Sequence, residues 1–270
     1  MTTTRGLRDR DEPITMLTAY DALTARIVQD CGIDMVLVGD SMGTTVLGYD
    51  DTLPVTVAEV KTRTAAVARG VDDALVVADM PFLSAGVDER ETVRNAGEML
   101  KDAGADAVKL ESGPHTVEIT ERLTQLGIPV MAHLGLTPQH VNQLGGYTRQ
   151  GTTTEAAEEI VALARDHEAA GAFSLVLEHV PANVASRVTE TLEIPTIGIG
   201  AGPDCDGQVL VGTDVMGLSA EIPPFAKQFG DVKREMTEAV ESYREAVESG
   251  AFPAAEHSHT EPDLDLDDSQ

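Results

Sequence analysis

Eight short apolar runs, set apart by segments with helical periodicity, limit what this chain can fold into more than any other feature. The runs lie near residues 14–20, 35–40, 75–80, 107–111, 130–135, 174–179, 196–200 and 209–212. Amphipathic segments fall between them at 22–31, 56–69, 88–103, 116–126, 154–170 and 182–192, and a long final helix is expected near 224–249. Only the connection after the seventh run is too short for a helix. Eight strands in strand–helix alternation predict an α/β fold, a single-domain (β/α)₈ TIM barrel, with a doubly wound open sheet as the alternative. Residues 13–253 would form the barrel. An N-terminal extension, 1–12, and an acidic tail, 254–270, are expected to be loose, the tail disordered.

A chain of 270 residues with 42% hydrophobic residues can bury one core of this size. It has no run of eighteen apolar residues and no apolar segment at its N-terminus, which predicts a cytoplasmic protein with no membrane contact. Cys31 and Cys205 lack the paired spacing of a zinc site or disulfide framework and read as reduced thiols. The formal charge is -27, and residues 254–270 supply six acidic residues and no Lys or Arg, leaving -21 spread over the rest. Lysine is scarce, Arg making up 14 of the 19 basic residues. Dispersed acidity of this kind predicts adaptation to high salt, which screens the self-repulsion. Nucleic-acid binding is excluded, since phosphate contacts need clustered cations.

Four of the runs carry a carboxylate at or near their C-terminal ends, Asp40, Asp79, Glu111 and Glu178. Barrel enzymes keep their chemistry at that end, and a buried carboxylate needs a partner. For any one of them a helix cap or strand-end ion pair is the ordinary explanation; four together point to a site. Strand side chains alternate, so Lys109 and Glu111 share one face of the fourth strand, the barrel mouth, while Val108 and Leu110 meet the helices. The same alternation groups Val36, Val38 and Asp40 on the second strand and Leu75, Val77 and Asp79 on the third. Three clustered carboxylates repel unless a cation joins them, and oxygen-only ligation by Asp40, Asp79 and Glu111 suits Mg²⁺.

Lys109 has the position of a Schiff-base lysine, but that role needs a neutral amine, and neighbouring carboxylates would hold it charged. A substrate-binding or charge-balancing role fits better. His133 should point inward with Met131 and is assigned to substrate contact. The Gly-rich run 197–208 is a weak phosphate-loop signal that tight turns alone would also explain. The long loop 136–151 reads as a lid or as an ordinary surface loop.

Several segments resemble one known family: LTAYD at 17–21, LVGDSMGTTVLGYDDTLPVT at 37–56, VVADMPF at 76–82, VKLE at 108–111, AHLGLTPQ at 132–139, GGYTRQG at 145–151, VLEHVP at 176–181 and IPTIGIGAGPDCDGQ at 194–208. They are similar to ketopantoate hydroxymethyltransferase, over about residues 5–259. The resemblance implies a barrel of the phosphoenolpyruvate/pyruvate superfamily that transfers a hydroxymethyl group from 5,10-methylenetetrahydrofolate to 3-methyl-2-oxobutanoate on the way to pantothenate and coenzyme A. It places magnesium on Asp40, Asp79 and Glu111, substrate contacts on Asp40, Ser41, Asp79 and Lys109 with His133 nearby, and the catalytic base on Glu178. It also implies a homodecamer, and in some lineages a methanopterin in place of folate. The run GLSAEIPP at 217–224 departs from the bacterial pattern. Rival readings are a carbon–carbon lyase or phosphonomutase, which would want a cysteine near the site, and a catalytically silent barrel.

Overall fold

A computed structural model of the chain describes residues 2–8, 10 and 12–261. Eight parallel strands close into a barrel in sequence order: β1 (Ile14–Thr18), β2 (Met35–Val38), β3 (Leu75–Asp79), β4 (Ala107–Glu111), β5 (Val130–Gly135), β6 (Ser174–Glu178), β7 (Thr196–Ile199) and β8 (Gly207–Leu210). Closure comes from β8 pairing back to β1, with Gly207 opposite Ile14. The helices are α1 (Thr4–Arg8), α2 (Ala22–Asp30), α3 (Val57–Ala68), α4 (Glu89–Lys101), α5 (Val117–Gln125), α6 (Val141–Leu144), α7 (Thr154–Ala169), α8 (Ala182–Thr189), α9 (Gly212–Met216) and α10 (Val232–Glu248). The barrel, rather than the open sheet, is therefore the architecture.

Local chemistry sets the helix starts. Asp21, Asp88 and Thr153 accept the N–H three residues on, and Thr56 and Glu59 form a reciprocal capping box at the head of α3. The core has an inner and an outer layer. Met16, Met35, Leu37, Leu75, Val77, Ala107, Met131, Val176 and Val209 fill the barrel. Facing outward, Val36, Val38 and Val76 pack on Ala25, Val28 and Val67, and Val108 and Leu110 on Val60, Met99 and Leu123.

Three sequence expectations give way. The N-terminal segment is not wholly loose: α1 carries Leu7, 2% exposed, into the inner core. Here the Thr2 N–H donates to the Asp73 carbonyl just ahead of β3, so the segment lies at the N-terminal end of the barrel. The eighth strand starts at Gly207, a residue that weakens the strand signal but is required because a Cβ there would lie 2.5 Å from the Ile14 carbonyl oxygen. The last helix begins at Val232, not 224, because Pro223, Pro224 and Gly230 break the run and Asp231 supplies the N-cap. Of the acidic tail, Ala255–His257 form a short 3₁₀ turn; residues 262–270 lie outside the described residues. Among the described residues no helix is long and apolar enough to cross a membrane.

Candidate active site

Parallel register brings the strand-end residues together. Asp79 stands beside Lys109, Glu111 beside His133, and Gly135 beside Glu178. Each functional side chain lies two residues beyond an inner-core residue of its own strand: Val77, Ala107, Met131 or Val176. Period-two alternation therefore aims Asp79, Lys109, His133 and Glu178 into the mouth, and Glu111 with Lys109. Asp40 arrives differently. Val36 and Val38 face the helices, so strict alternation would send Asp40 outward with them. Instead β2 ends at Val38, the chain turns at Gly39, and the Asp40 N–H donates to Asp79 Oδ2 at 3.2 Å. The expectation that Val36, Val38 and Asp40 share an inward face is thus corrected: a turn, not alternation, delivers Asp40.

These groups line a cavity of about 100 Å³ at the C-terminal end of the barrel, with Thr18, Ser41, Pro138, Ile199 and Val211 completing its wall. A wider concavity of about 830 Å³ lies between α7 and α8 and is lined by none of these carboxylates. Within the small cavity the Lys109 ammonium lies 2.7 Å from Asp79 Oδ1 and 3.5 Å from His133 Nδ1, and His133 Nε2 lies 3.1 Å from Glu178 Oε2. All are buried but Glu178, which keeps a partly open edge.

Burial and neighbouring charge separate the protonation states. Glu178 is pushed up to about 7 by burial, with Lys109 opposing and Asp79 adding to the rise. His133 falls to about 4, first through burial and then through the Lys109 charge, so it is neutral at pH 7. Burial alone would favour the neutral amine of Lys109, but Asp79, Asp40 and Glu111 outweigh it and hold the ammonium above its ordinary range. A charged, paired amine is no Schiff-base nucleophile. Asp40 is raised well above its ordinary value, by burial first and then by Asp79, with Glu111 adding to it.

That elevation bears on the metal. Asp40, Asp79 and Glu111 face one cavity, and their mutual repulsion is answered by Lys109, by His140 3.5 Å from Glu111 Oε2, and by hydrogen bonds. Among the described residues, however, no three His, Cys, Asp or Glu side chains converge tightly enough to hold an ion unaided. A buried set of oxygen donors that is short of a complete cage fits a hard cation that keeps waters and takes other ligands from substrate, as Mg²⁺ does. The structure thus gathers the three carboxylates but does not make them a closed three-ligand cradle.

Sequence reasoning missed the residues that hold this arrangement. Gln139, in the loop after β5, donates from its backbone N–H to both Glu111 oxygens at 3.1 Å, and from Nε2 to Asp40 Oδ2 at 2.9 Å and the Met80 carbonyl at 3.0 Å. Thus the loop 136–151 is tied across the mouth rather than standing free. On the other side the Gly212 N–H donates to Thr18 Oγ1, Thr18 donates to the Tyr20 hydroxyl, and Tyr20 shares a hydrogen bond with Ser41 Oγ, which fixes Ser41 at the cavity wall. The only sequence signal for either device was a polar residue within a family-like motif. In the Gly-rich run, Gly200 has φ +61° and a Cβ there would lie 2.8 Å from Phe225 Cγ, which favours close packing over phosphate capture.

A family model described as Ketopantoate hydroxymethyltransferase matches residues 1–255. The chain belongs to the ketopantoate hydroxymethyltransferase family. It is 70% identical over 257 residues to the 3-methyl-2-oxobutanoate hydroxymethyltransferase of Halobacterium salinarum, covering 95% of this chain and 94% of that one. The enzyme of the same name from Haloarcula marismortui is 71% identical over 94% of each chain, and that of Geotalea uraniireducens 52% identical over 93% of this chain and 95% of its own. Membership makes the chain a transferase of the hydroxymethyltransferase kind, ahead of the lyase, mutase and silent-barrel readings. Among solved structures, phosphoenolpyruvate phosphomutase from Streptomyces platensis subsp. rosaceus superposes with TM-score 0.63 at 14% identity, over 91% of this chain and 86% of that one. A 2,3-dimethylmalate lyase of the PEP mutase/isocitrate lyase superfamily does so with TM-score 0.58 at 19% identity, over 100% and 92%. These likenesses show the fold that the family shares with that superfamily.

Proposed function

We propose that the chain transfers a hydroxymethyl group from 5,10-methylenetetrahydrofolate to 3-methyl-2-oxobutanoate, giving 2-dehydropantoate for pantothenate and coenzyme A biosynthesis, with Glu178 as the base. The observation that carries this is Glu178 itself: a mostly buried carboxylate with one open edge, poised near neutral pH at the edge of a cavity sized for a small acid, beside a neutral histidine.

The substrate's C3 proton is weakly acidic, and its removal needs a base that is unprotonated yet basic at working pH. Glu178 takes that proton. Lys109 offsets the charge of the substrate carboxylate and of the enolate that forms. Neutral His133, its Nε2 3.1 Å from a Glu178 carboxylate oxygen, borders the base without neutralising it. Ser41, tethered through Tyr20, presents its hydroxyl to substrate oxygen. The enolate carbon then bonds to the donor's methylene carbon as that carbon's bonds to N5 and N10 both break, water supplies the hydroxyl oxygen, and the two freed nitrogens take up the C3 proton and one proton of the water, leaving tetrahydrofolate. Asp40, Asp79 and Glu111 would hold Mg²⁺, which when bound supplies positive charge to the keto oxygen and acidifies the C3 position. We place the enzyme in the cytoplasm as a homo-oligomer, a decamer by family resemblance, acting on small molecules and not on nucleic acid or membrane.

The test is isotope exchange. Protein with Mg²⁺ and 3-methyl-2-oxobutanoate in deuterated water, without donor, should exchange the C3 proton, and Glu178→Gln should slow this by about 10²–10⁴-fold. Equal exchange by wild type and variant removes Glu178 from the role. Supplying folate or methanopterin donors in parallel identifies the one-carbon source.

A further inference from the structure

The reaction has two reactants, but the buried cavity has room for one. At about 100 Å³ it is roughly a third or less of the volume that drug-sized ligands occupy. The one-carbon donor must therefore lie over the mouth, within reach of whatever stands above Glu178.

Aromatic rings stand there, in a chain whose aromatic content is only 3% and which has no tryptophan. His179 and Gly200 directly follow the last residues of β6 and β7, and the His179 ring packs on Phe225 with centroids 5.1 Å apart and planes tilted by 49°. The missing side chain at Gly200 is what lets Phe225 approach. The backbone of His179 is left-handed, φ +47°, a strained conformation for a non-glycine residue. It is held by its N–H on the Ile199 carbonyl, 2.8 Å, and by the Gln150 N–H on its own carbonyl, 3.1 Å. His179 Nδ1 is buried and makes no hydrogen bond. Tyr147, 52% exposed, stands on the loop pinned at one end by Gln139 to Asp40 and Glu111 and at the other by Gln150 to His179. Its hydroxyl is shifted up by partial burial and then by the charges of Asp51, Asp40, Glu178 and Glu111, as expected of a ring overhanging the mouth.

Partly exposed rings at the rim of the mouth, one on the residue that follows the base and one on the loop pinned across it, are placed to receive a flat heteroaromatic ligand. We propose that Tyr147 and the His179–Phe225 pair together form a seat for the bicyclic ring of the one-carbon donor, a reduced pterin. This rests on the transfer reading above. Stacking on the rings supplies the affinity.

Binding separates the two ideas. The full chain, with Mg²⁺ and 3-methyl-2-oxobutanoate, is titrated with tetrahydrofolate and with unsubstituted tetrahydropterin by calorimetry, and donor-free C3 exchange is measured on the same samples. Both pterins should bind the wild type. Tyr147→Leu and Phe225→Leu should each weaken both by about three- to tenfold, while Tyr147→Phe stays within about twofold. Exchange, which needs no donor, should change less than about twofold. Unchanged pterin affinity in both leucine variants overturns the seat, as does a wild type that binds tetrahydrofolate but not tetrahydropterin. If exchange falls in proportion to pterin affinity, the rings are holding the site together and the proposal fails. A wild type that binds both pterins through these rings yet exchanges no proton removes the base assignment and leaves the seat standing.

Discussion

Glu178 is costly to the fold and useful to the chemistry, and both effects come from its pKa near 7. Below its ordinary value of 4.5 it is protonated whether folded or unfolded, and its burial adds no pH dependence. Between 4.5 and 7 the unfolded chain ionises first, so stability falls as pH rises; above about 7 the penalty is complete, about 3 kcal/mol. Glu178→Gln should accordingly unfold at a higher midpoint than wild type at pH 8, with the advantage shrinking toward pH 4, as followed by thermal or urea denaturation. The exchange rate should run the other way, rising with pH through about 7 and levelling above it, since only the carboxylate accepts the proton. Lys109 holds the opposite balance. Removing it leaves Asp79 and Asp40 buried without their cation, so Lys109→Met should cost about 3–5 kcal/mol of stability in urea unfolding. A loss under 1 kcal/mol would mean the acids take up protons instead.

Strands, and how they end, decide what can be read ahead of the structure. On β3, β4, β5 and β6 the functional residue still lies within the strand, so a period of two written in the sequence sufficed to place Asp79, Lys109, Glu111, His133 and Glu178. On β2 the strand stops two residues short of Asp40, and alternation assigned the wrong neighbours to it, because a strand end is set by pairing with β1 and β3 and leaves no local mark. A similar limit hid the β5–β6 junction. A Cβ at Gly135, φ +97°, would collide with the Glu178 carbonyl, so that glycine lets β5 and the base lie side by side, though nothing nearby in sequence says so. The N-terminal helix was missed because α1 is five residues long and is held by one buried apolar side chain, which no periodicity can register. Leu7→Ala should cost about 2–5 kcal/mol by unfolding measurements, as a core truncation does, whereas a loose extension would show no effect.

Taken as a whole, the molecule carries a charge of -27 that no internal pairing cancels, and many of its ion pairs lie on the exposed surface. Such pairs contribute little singly, so the net repulsion is left to the solvent. The thermal midpoint should climb as KCl is raised from about 0.1 M, where the screening length is about 10 Å, toward molar concentrations, where it is about 3 Å. A midpoint independent of salt would remove the case for adaptation to high salt. By itself the sequence determined the eight-strand beat, the closed barrel it implies and the inward acids at strand ends, because hydrophobic periodicity is a local property that survives in one dimension. Only the tertiary structure decided that Asp40 enters by a turn, that Gln139 reaches 99 positions back to it, and that Tyr20 steadies Ser41. Those contacts depend on which chain ends meet when the barrel closes, and closure is a property of all eight strands at once.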